Sequence, residues 1–361
     1  MVDYNVILSI PPYSMEKEEK HVFLTQQLSM LTQHHYQYCE NYRKIIDAIQ
    51  FDVNSIKSYY DIPFLPVRVF KEYDLMSIPR ESIAKTMTSS GTTGQQVSKI
   101  YLDKATSANQ TRTLIKIVSS YIGSKRLPMI ILDTSALLKN RTMFSARGAG
   151  ILGFSIFARD RIFALNEDME LDIEGLTKFL EKHQGEDILL FGFTFMIWQH
   201  FYEQLKKSDY HPDLSKGIMI HGGGWKKLVQ KSVSADNFKA SLHEVCGINR
   251  VYDYYGMVEQ TGTVYMECEF GHLHSSIFSD VIIRYPGDFS VANIGEKGLI
   301  EVVSVLPRSY PGHALLTEDE GVLLGEDDCP CGRKGKYFKV LGRVKNAEIR
   351  GCSDTYAEKF R

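Results

Sequence analysis

No apolar run in this 361-residue chain approaches the ~18–20 residues needed to cross a bilayer. The longest runs, around 128–132 and 189–198, read as a buried strand and a strand-to-helix segment. Neither sign of charge dominates: 42 basic residues stand against 44 acidic ones, for a net charge of -2 and a pI near 6.6. A broad basic surface is therefore not expected, and neither is a nucleic-acid partner. The opening Met1-Val2-Asp3-Tyr4 lacks the basic and apolar regions of a signal peptide, so a cytoplasmic protein is expected. There is no internal repeat, no low-complexity linker and no signature of disorder, since 43% of residues are hydrophobic. Of the six cysteines, Cys39, Cys246, Cys268, Cys329, Cys331 and Cys352, none is expected in a disulfide; metal ligands, reactive thiols or core residues fit that compartment better.

What is present is an alternation of short apolar runs with helical patterns. Residues 15–50 read as helix, with Leu24, Leu28 and Leu31 on one face and His34 and His35 on a polar surface. Pro63 and Pro66 end that pattern. A strand over 83–88 leads to a glycine-containing loop and a helix over 104–122 follows. Further strands are expected at 129–133, 188–191, 217–221 and 250–254, with helices at 172–183, 195–207 and 235–245. That order implies a layered α/β fold with a largely parallel sheet. Beyond Gly262 the texture changes to short strands with turns such as Tyr285-Pro286-Gly287 and Tyr310-Pro311-Gly312, a smaller β-rich lobe. Cys39 and Cys246 read as packing residues.

Three strips at the ends of expected strands carry chemistry. Thr88-Ser89-Ser90-Gly91-Thr92-Thr93-Gly94 offers backbone N–H groups and hydroxyls suited to a nucleotide's phosphates. It is not a Walker loop, because Gly-Lys-Ser/Thr is missing at the required spacing, and taken alone such a cluster is an ordinary turn. Tyr254-Tyr255-Gly256-Met257-Val258-Glu259 pairs an aromatic ring, fit to cover a base, with a carboxylate fit to hold Mg²⁺. His221-Gly222-Gly223-Gly224-Trp225-Lys226 is a third glycine run. Sites in α/β folds gather at such strand ends. Phe144-Ser145-Ala146-Arg147-Gly148-Ala149-Gly150 reads equally as a turn or as a lining of an acyl pocket. Separately, Cys329-Pro330-Cys331 together with Cys268 and either His272 or His274 makes three thiols and an imidazole, a good closed zinc set.

These strips, taken in order with Thr317-Glu318-Asp319 and Leu341-Gly342-Arg343, resemble the adenylate-forming superfamily, which includes acyl- and aryl-CoA ligases. Ile62-Pro63-Phe64-Leu65-Pro66-Val67, Phe70-Lys71, the His221 strip and Arg350-Gly351-Cys352 are most similar to LuxE-type acyl-protein synthetases, with phenylacetate-CoA ligases as cousins. The resemblance runs from Pro63 to the end of the sequence. It implies the large N-terminal adenylate-forming domain with mixed sheets. A helical region would cover 1–80, a nucleotide-binding core 81–261, a β-rich zinc lobe 262–343 and a tail 344–361. It also implies the site. Ser89, Ser90, Gly91, Thr92, Thr93 and Gly94 would hold ATP phosphates beside Gly222, Gly223 and Gly224, and Tyr255 with Gly256 would pack on adenine. Glu259 would ligate Mg²⁺, Asp319 the ribose hydroxyls, and Arg343 would mark the hinge and contact the nucleotide.

Two departures bear on the activity. Val258 stands where many relatives carry threonine, and the sequence ends 18 residues after Arg343, without the usual mobile C-terminal domain. LuxE-type proteins share that shortened end. In them the acyl group passes from the adenylate to a cysteine near the C-terminus and on to a partner fatty-acid reductase. Cys352 matches that position, with Arg350 placed to favour the thiolate. Phenylacetate-CoA-ligase relatives carry a similar Cys/His set, which favours Cys268, His274, Cys329 and Cys331 as ligands of a structural Zn²⁺; luminescence LuxE proteins lack it. The expectation is an ATP-dependent ligase that charges Cys352 with a fatty acid. A shortened CoA ligase and a non-catalytic, zinc-stapled nucleotide-binding subunit are the rivals.

Overall fold

Leu24, Leu28 and Leu31 recur at helical spacing, and all three are buried along helix α1 (Lys17–Tyr38). Its first turn carries Glu18 and Glu19, the charge that a helix N-terminus favours. The helix stops at Cys39, whose backbone is extended and whose thiol is buried, and α2 (Glu40–Ala48) then buries Tyr42 and Ile46. The single helix expected over 15–50 is thus two, broken at the extended backbone of Cys39, although the buried stripe continues through it to Tyr42 and Ile46. His35 is not on a polar surface: it is 0% exposed, bonded through Nδ1 to Ser77 Oγ at 2.7 Å and through Nε2 to the Pro307 carbonyl at 3.0 Å. His34 is half-buried, with Nε2 at 3.1 Å from the Arg308 carbonyl.

This computed structural model describes residues 4–89, 97–139, 146–225 and 232–344. The chain divides into two compact units, Met1–Val118 with Gly256–Arg361, and Ser119–Tyr255. In the first, β1 (Leu65–Pro66) is followed by the antiparallel hairpin β2 (Lys85–Thr88) and β3 (Lys99–Leu102), then by α3 (Lys104–Ile122), which matches its expected span.

The second unit is built on five parallel strands: β4 (Leu127–Thr134), β5 (Ala158–Leu165), β6 (Ile188–Phe193), β7 (Gly217–Gly222) and β8 (Arg250–Tyr255), in the order β5-β4-β6-β7-β8. Met129, Ile130, Ile131 and Leu132, like Leu189, Leu190 and Phe191, are buried throughout, as strands covered on both faces must be. Strand β5 escapes that criterion because its first half, Ala158-Arg159-Asp160-Arg161, carries three consecutive charged residues at the sheet edge. Helix α4 (Ala146–Phe154) occupies most of what reads as a glycine-rich turn; a Cβ at Gly150 would lie 2.9 Å from the Phe193 ring. Helix α5 (Ile173–Lys182) is capped by Asp172, and α6 (Ala235–Cys246) by Ser234, with Gly247 left-handed at its end. The expected helix 195–207 holds a π turn at Ile197–Tyr202, where Trp198 and Tyr202 pack with ring centroids 4.4 Å apart.

From Gly256 the chain returns to the first unit with β9 (Tyr265–Glu267), β10 (Leu273–His274), β11 (Ser279–Arg284), β12 (Lys297–Ser304), β13 (Ala314–Glu326) and β14 (Lys336–Arg343). Their order is β11-β12-β13-β14-β10-β9, antiparallel at each measured pairing, with β1 parallel to β13. Within β11, Asp280 lies buried between the ammonium groups of Lys20 (3.2 Å) and Lys336 (3.0 Å). It also accepts from Tyr59 and Ser275, so each oxygen is satisfied.

Candidate active site

Glu259 sits in a short 3₁₀ turn, Val258–Gln260, just after the chain leaves β8. Its side chain is 6% exposed, and it forms no ion pair among the described residues. Burial pushes its carboxyl above the ordinary range, opposed by the neighbouring Ser98 hydroxyl and by Lys71. The Ser98 hydroxyl itself makes no well-formed hydrogen bond and only flanks the carboxylate. A buried, unpaired carboxylate beside a free hydroxyl is a donor set that a divalent cation suits.

The same Ser98 closes the base of the Ser/Thr/Gly segment. Ser98 N–H donates to Ser89 Oγ at 2.9 Å, and Ser89 N–H donates to the Ser98 carbonyl at 3.2 Å. Thr88 pairs with Lys99 at the end of the β2–β3 ladder. Thr261 Oγ1 reaches Met87 Sδ at 3.7 Å, a second tie between hairpin and turn. Ser90, Gly91, Thr92, Thr93 and Gly94 lie outside the described residues, as do Lys226, Arg350 and Cys352.

Asp319 and Arg343 are direct register partners on β13 and β14. Arg343 is 68% exposed, with Nε 3.9 Å from Asp319 Oδ1 and Nη2 3.9 Å from Glu318 Oε2. At that distance and exposure the pairing adds little stability, and the guanidinium is available to an anion. Glu318 is close enough to Glu259 to oppose its ionisation, which puts these acids in one neighbourhood of the first unit.

In the second unit, adjacent strands end level: Phe193 pairs with Gly222, and Gly222 with Tyr254. A Cβ on Gly222 would lie 2.5 Å from the Tyr254 ring, so glycine is what lets that ring cross the strand. Tyr254 packs on Phe154 and Phe191, at 5.2 and 6.3 Å between centroids. Alternation along β8 turns Tyr255, its last residue, to the opposite face. Gly223 is left-handed at φ 77, and Trp225 packs on Trp198 and Phe238, so the end of this strip has a packing role. His221 is buried, its Nδ1 3.0 Å from Thr194 Oγ1, and desolvation holds it neutral, down to about 3.

The β9–β10 turn and the end of β13 bring Cys268, His274, Cys329 and Cys331 together, with ligand atoms all within 4.8 Å of one another. Cys268 and Cys329 sulfurs are 4.0 Å apart, too far for a disulfide. A zinc tetrahedron with Zn–S of about 2.3 Å needs an edge of about 3.8 Å. Cys331 Sγ lies 3.3 Å from His274 Nε2, and His272 Nδ1 lies 3.3 Å from Cys329 Sγ, so both histidines border the cluster. Burial pushes the Cys329 thiol up to about 12, and Cys268 and Cys331 oppose its ionisation further. A bound divalent cation reverses that penalty, so the donor set fits Zn²⁺.

Residues behind the site escape a sequence reading. Tyr310 and Gly312 show only as a turn in sequence, and Gln110, Ser98 and Gln260 carry no local signal; their place depends on long-range packing.

The model of the acyl-protein synthetase, LuxE, family matches residues 2–361. The long-chain-fatty-acid–luciferin-component ligase of Vibrio harveyi is 23% identical over 340 residues, 91% of this chain and 85% of the relative. The protein of that name from Aliivibrio fischeri is 24% identical over 333 residues, 88% and 84% of the two chains. A solved structure of an open conformation of 2-hydroxyisobutyryl-CoA ligase, in complex with 2-HIB-AMP and CoA, matches with a TM-score of 0.71 at 16% identity. That likeness covers 96% of this chain and 76% of the ligase and shows the fold, that of adenylate-forming ligases.

Proposed function

This chain belongs to the acyl-protein synthetase, LuxE, family, and from that membership we propose that it activates a long-chain fatty acid with ATP and loads it on a protein thiol. The observation that carries the reading is the meeting, in one unit, of the β2–β3 hairpin, through Met87 and Ser98, with the turn that holds the buried Glu259. In the first step a carboxylate oxygen of the acid attacks the α-phosphorus, the bond to the β-phosphate oxygen breaks, and pyrophosphate leaves. Mg²⁺, held by Glu259 and the phosphates, would neutralise charge as that bond breaks. Residues 89–94 and the glycines 222–224 are assigned to the phosphates, Tyr255 with Gly256 to adenine, Asp319 to the ribose and Arg343 to the nucleotide. Catalysis is then positioning and electrostatics, with no covalent step on these groups.

In the second step the Cys352 thiolate attacks the acyl carbon, the mixed-anhydride C–O bond breaks, and AMP leaves with the electron pair. The thioester is passed to an acyl-consuming partner such as a fatty-acid reductase. Cys268, His274, Cys329 and Cys331 would hold a Zn²⁺ with four protein ligands, and such an ion would be structural. The test is incubation with ATP and a radiolabelled fatty acid, with and without coenzyme A. A hydroxylamine-sensitive label on the wild type that disappears in Cys352→Ser is expected. Undiminished label on that variant, or AMP formation that requires coenzyme A, contradicts the thiol assignment.

A further inference from the structure

The turn that carries Glu259 is gripped by side chains from distant parts of the same unit. Tyr310, wholly buried, donates its hydroxyl hydrogen to the Glu259 carbonyl at 2.8 Å. Gln110 Nε2 lies 3.4 Å from that hydroxyl, and Phe70 meets the Tyr310 ring edge-on at 6.1 Å. On the next residue, Gln260 Nε2 donates to the carbonyls of Gly312 (2.8 Å) and Val302 (3.0 Å). Gly312 has to be glycine: a Cβ there would lie 2.3 Å from the Tyr310 ring and 2.9 Å from the Glu259 carbonyl. Gly262, at φ +95, likewise approaches the Gln110 backbone within 2.7 Å of where a Cβ would stand.

Burying a hydroxyl is costly unless it is bonded, and phenylalanine would fill the same space without that cost. The single hydrogen bond this tyrosine donates falls on the one residue of the turn that carries a carboxylate. We infer that Tyr310 is a positioning residue for Glu259, and that its hydroxyl, backed by Gln110, fixes the Val258–Gln260 turn so that the carboxylate meets the metal–nucleotide in one orientation. The inference rests on the proposed ATP-dependent function and deepens it: groups that orient a metal ligand change metal affinity or activity by about 10–100-fold when lost.

The test compares full-length wild type with Tyr310→Phe in two assays, each against Mg²⁺ concentration. One is the rise in thermal midpoint caused by ATP; the other is fatty-acid-dependent exchange of pyrophosphate into ATP. The variant should keep a ligand-free midpoint within a few degrees of wild type, because ring packing is retained. Its kcat should fall about 10-fold, its KM for the acid should move less than about twofold, and the Mg²⁺ giving half of each effect should rise several-fold. Wild-type kcat and Mg²⁺ dependence in the variant would overturn the inference. So would a loss of exchange that only tracks loss of folded protein, with the Mg²⁺ dependence unchanged. If Tyr310→Phe does not fold, Gln110→Met carries the test, with a smaller shift in the same direction expected and no shift overturning it. Wild type that exchanges with no acid defeats the proposed function and the inference together; normal exchange by both proteins defeats the inference alone.

Discussion

Glu259 shows at the scale of one residue what burial does to charge: six per cent exposed, no ionic partner among the described residues, and a carboxyl pushed up by desolvation. Histidines show the converse. His35 and His313 are fully buried, their rings 4.8 Å apart, and desolvation holds both neutral, His313 down to about 3. His313 Nε2 bonds Thr32 Oγ1 at 2.9 Å, and its Nδ1 has no partner. In the unfolded chain both titrate near 6.5, so below that pH the unfolded state takes up protons the folded state refuses. Stability should therefore be at its plateau above about pH 6.5 and fall as pH drops towards about 3, by up to about 1.4 kcal/mol per group per unit. Urea midpoints measured from pH 7.5 to 4.5 check this, with His313→Gln expected to show a shallower acid slope. A flat profile over that range contradicts it. His35 was legible in principle: it continues the stripe of Leu24, Leu28 and Leu31 at helical spacing. Neighbouring His34 and Gln33 make the stretch look polar, and the partners Ser77, Pro307 and His313 lie 42, 272 and 278 positions away.

Elements whose signal is local were readable, and those that depend on distant partners were not. Helix α3 begins and ends where its periodicity says, and β6 and β7 follow from unbroken apolar runs. Strand β3 is invisible because Lys99-Ile100-Tyr101-Leu102 is strand only by pairing with β2, and β5 because an edge strand tolerates charge. The thiol turn is an intermediate case. Cys329-Pro330-Cys331 is plain in sequence, whereas its meeting with Cys268 and His274 needs the pairing of β10 with both β9 and β14. Pure protein should contain about one equivalent of zinc, and Cys329→Ser should lose most of it. Stripping the metal with a chelator should lower the thermal midpoint by several degrees, because binding to the folded state alone stabilises it. Less than half an equivalent, or a midpoint indifferent to chelation, contradicts the assignment.

For the whole molecule, the ordered motifs from Pro63 onward pointed to the family that the match over residues 2–361 shows. Three features of the chain agree: parallel strands ending in glycine and tyrosine, an antiparallel β region, and acidic and basic side chains paired on β13 and β14. Among the described residues no helix is long and apolar enough to cross a membrane. The pocket that selects the acid is the part of the molecule least legible in the sequence. Such a choice rests on the shape of pocket walls, which motif spacing does not encode. The central claim is that Glu259 serves acid activation by ATP. Exchange of radiolabelled pyrophosphate into ATP, driven by a long-chain fatty acid and compared between wild type and Glu259→Gln, tests it most directly. The account predicts acid-dependent exchange by wild type, reduced about 100-fold or more in the variant. Wild type inert with every acid tried, or a Glu259→Gln protein that exchanges at the wild-type rate, would contradict it.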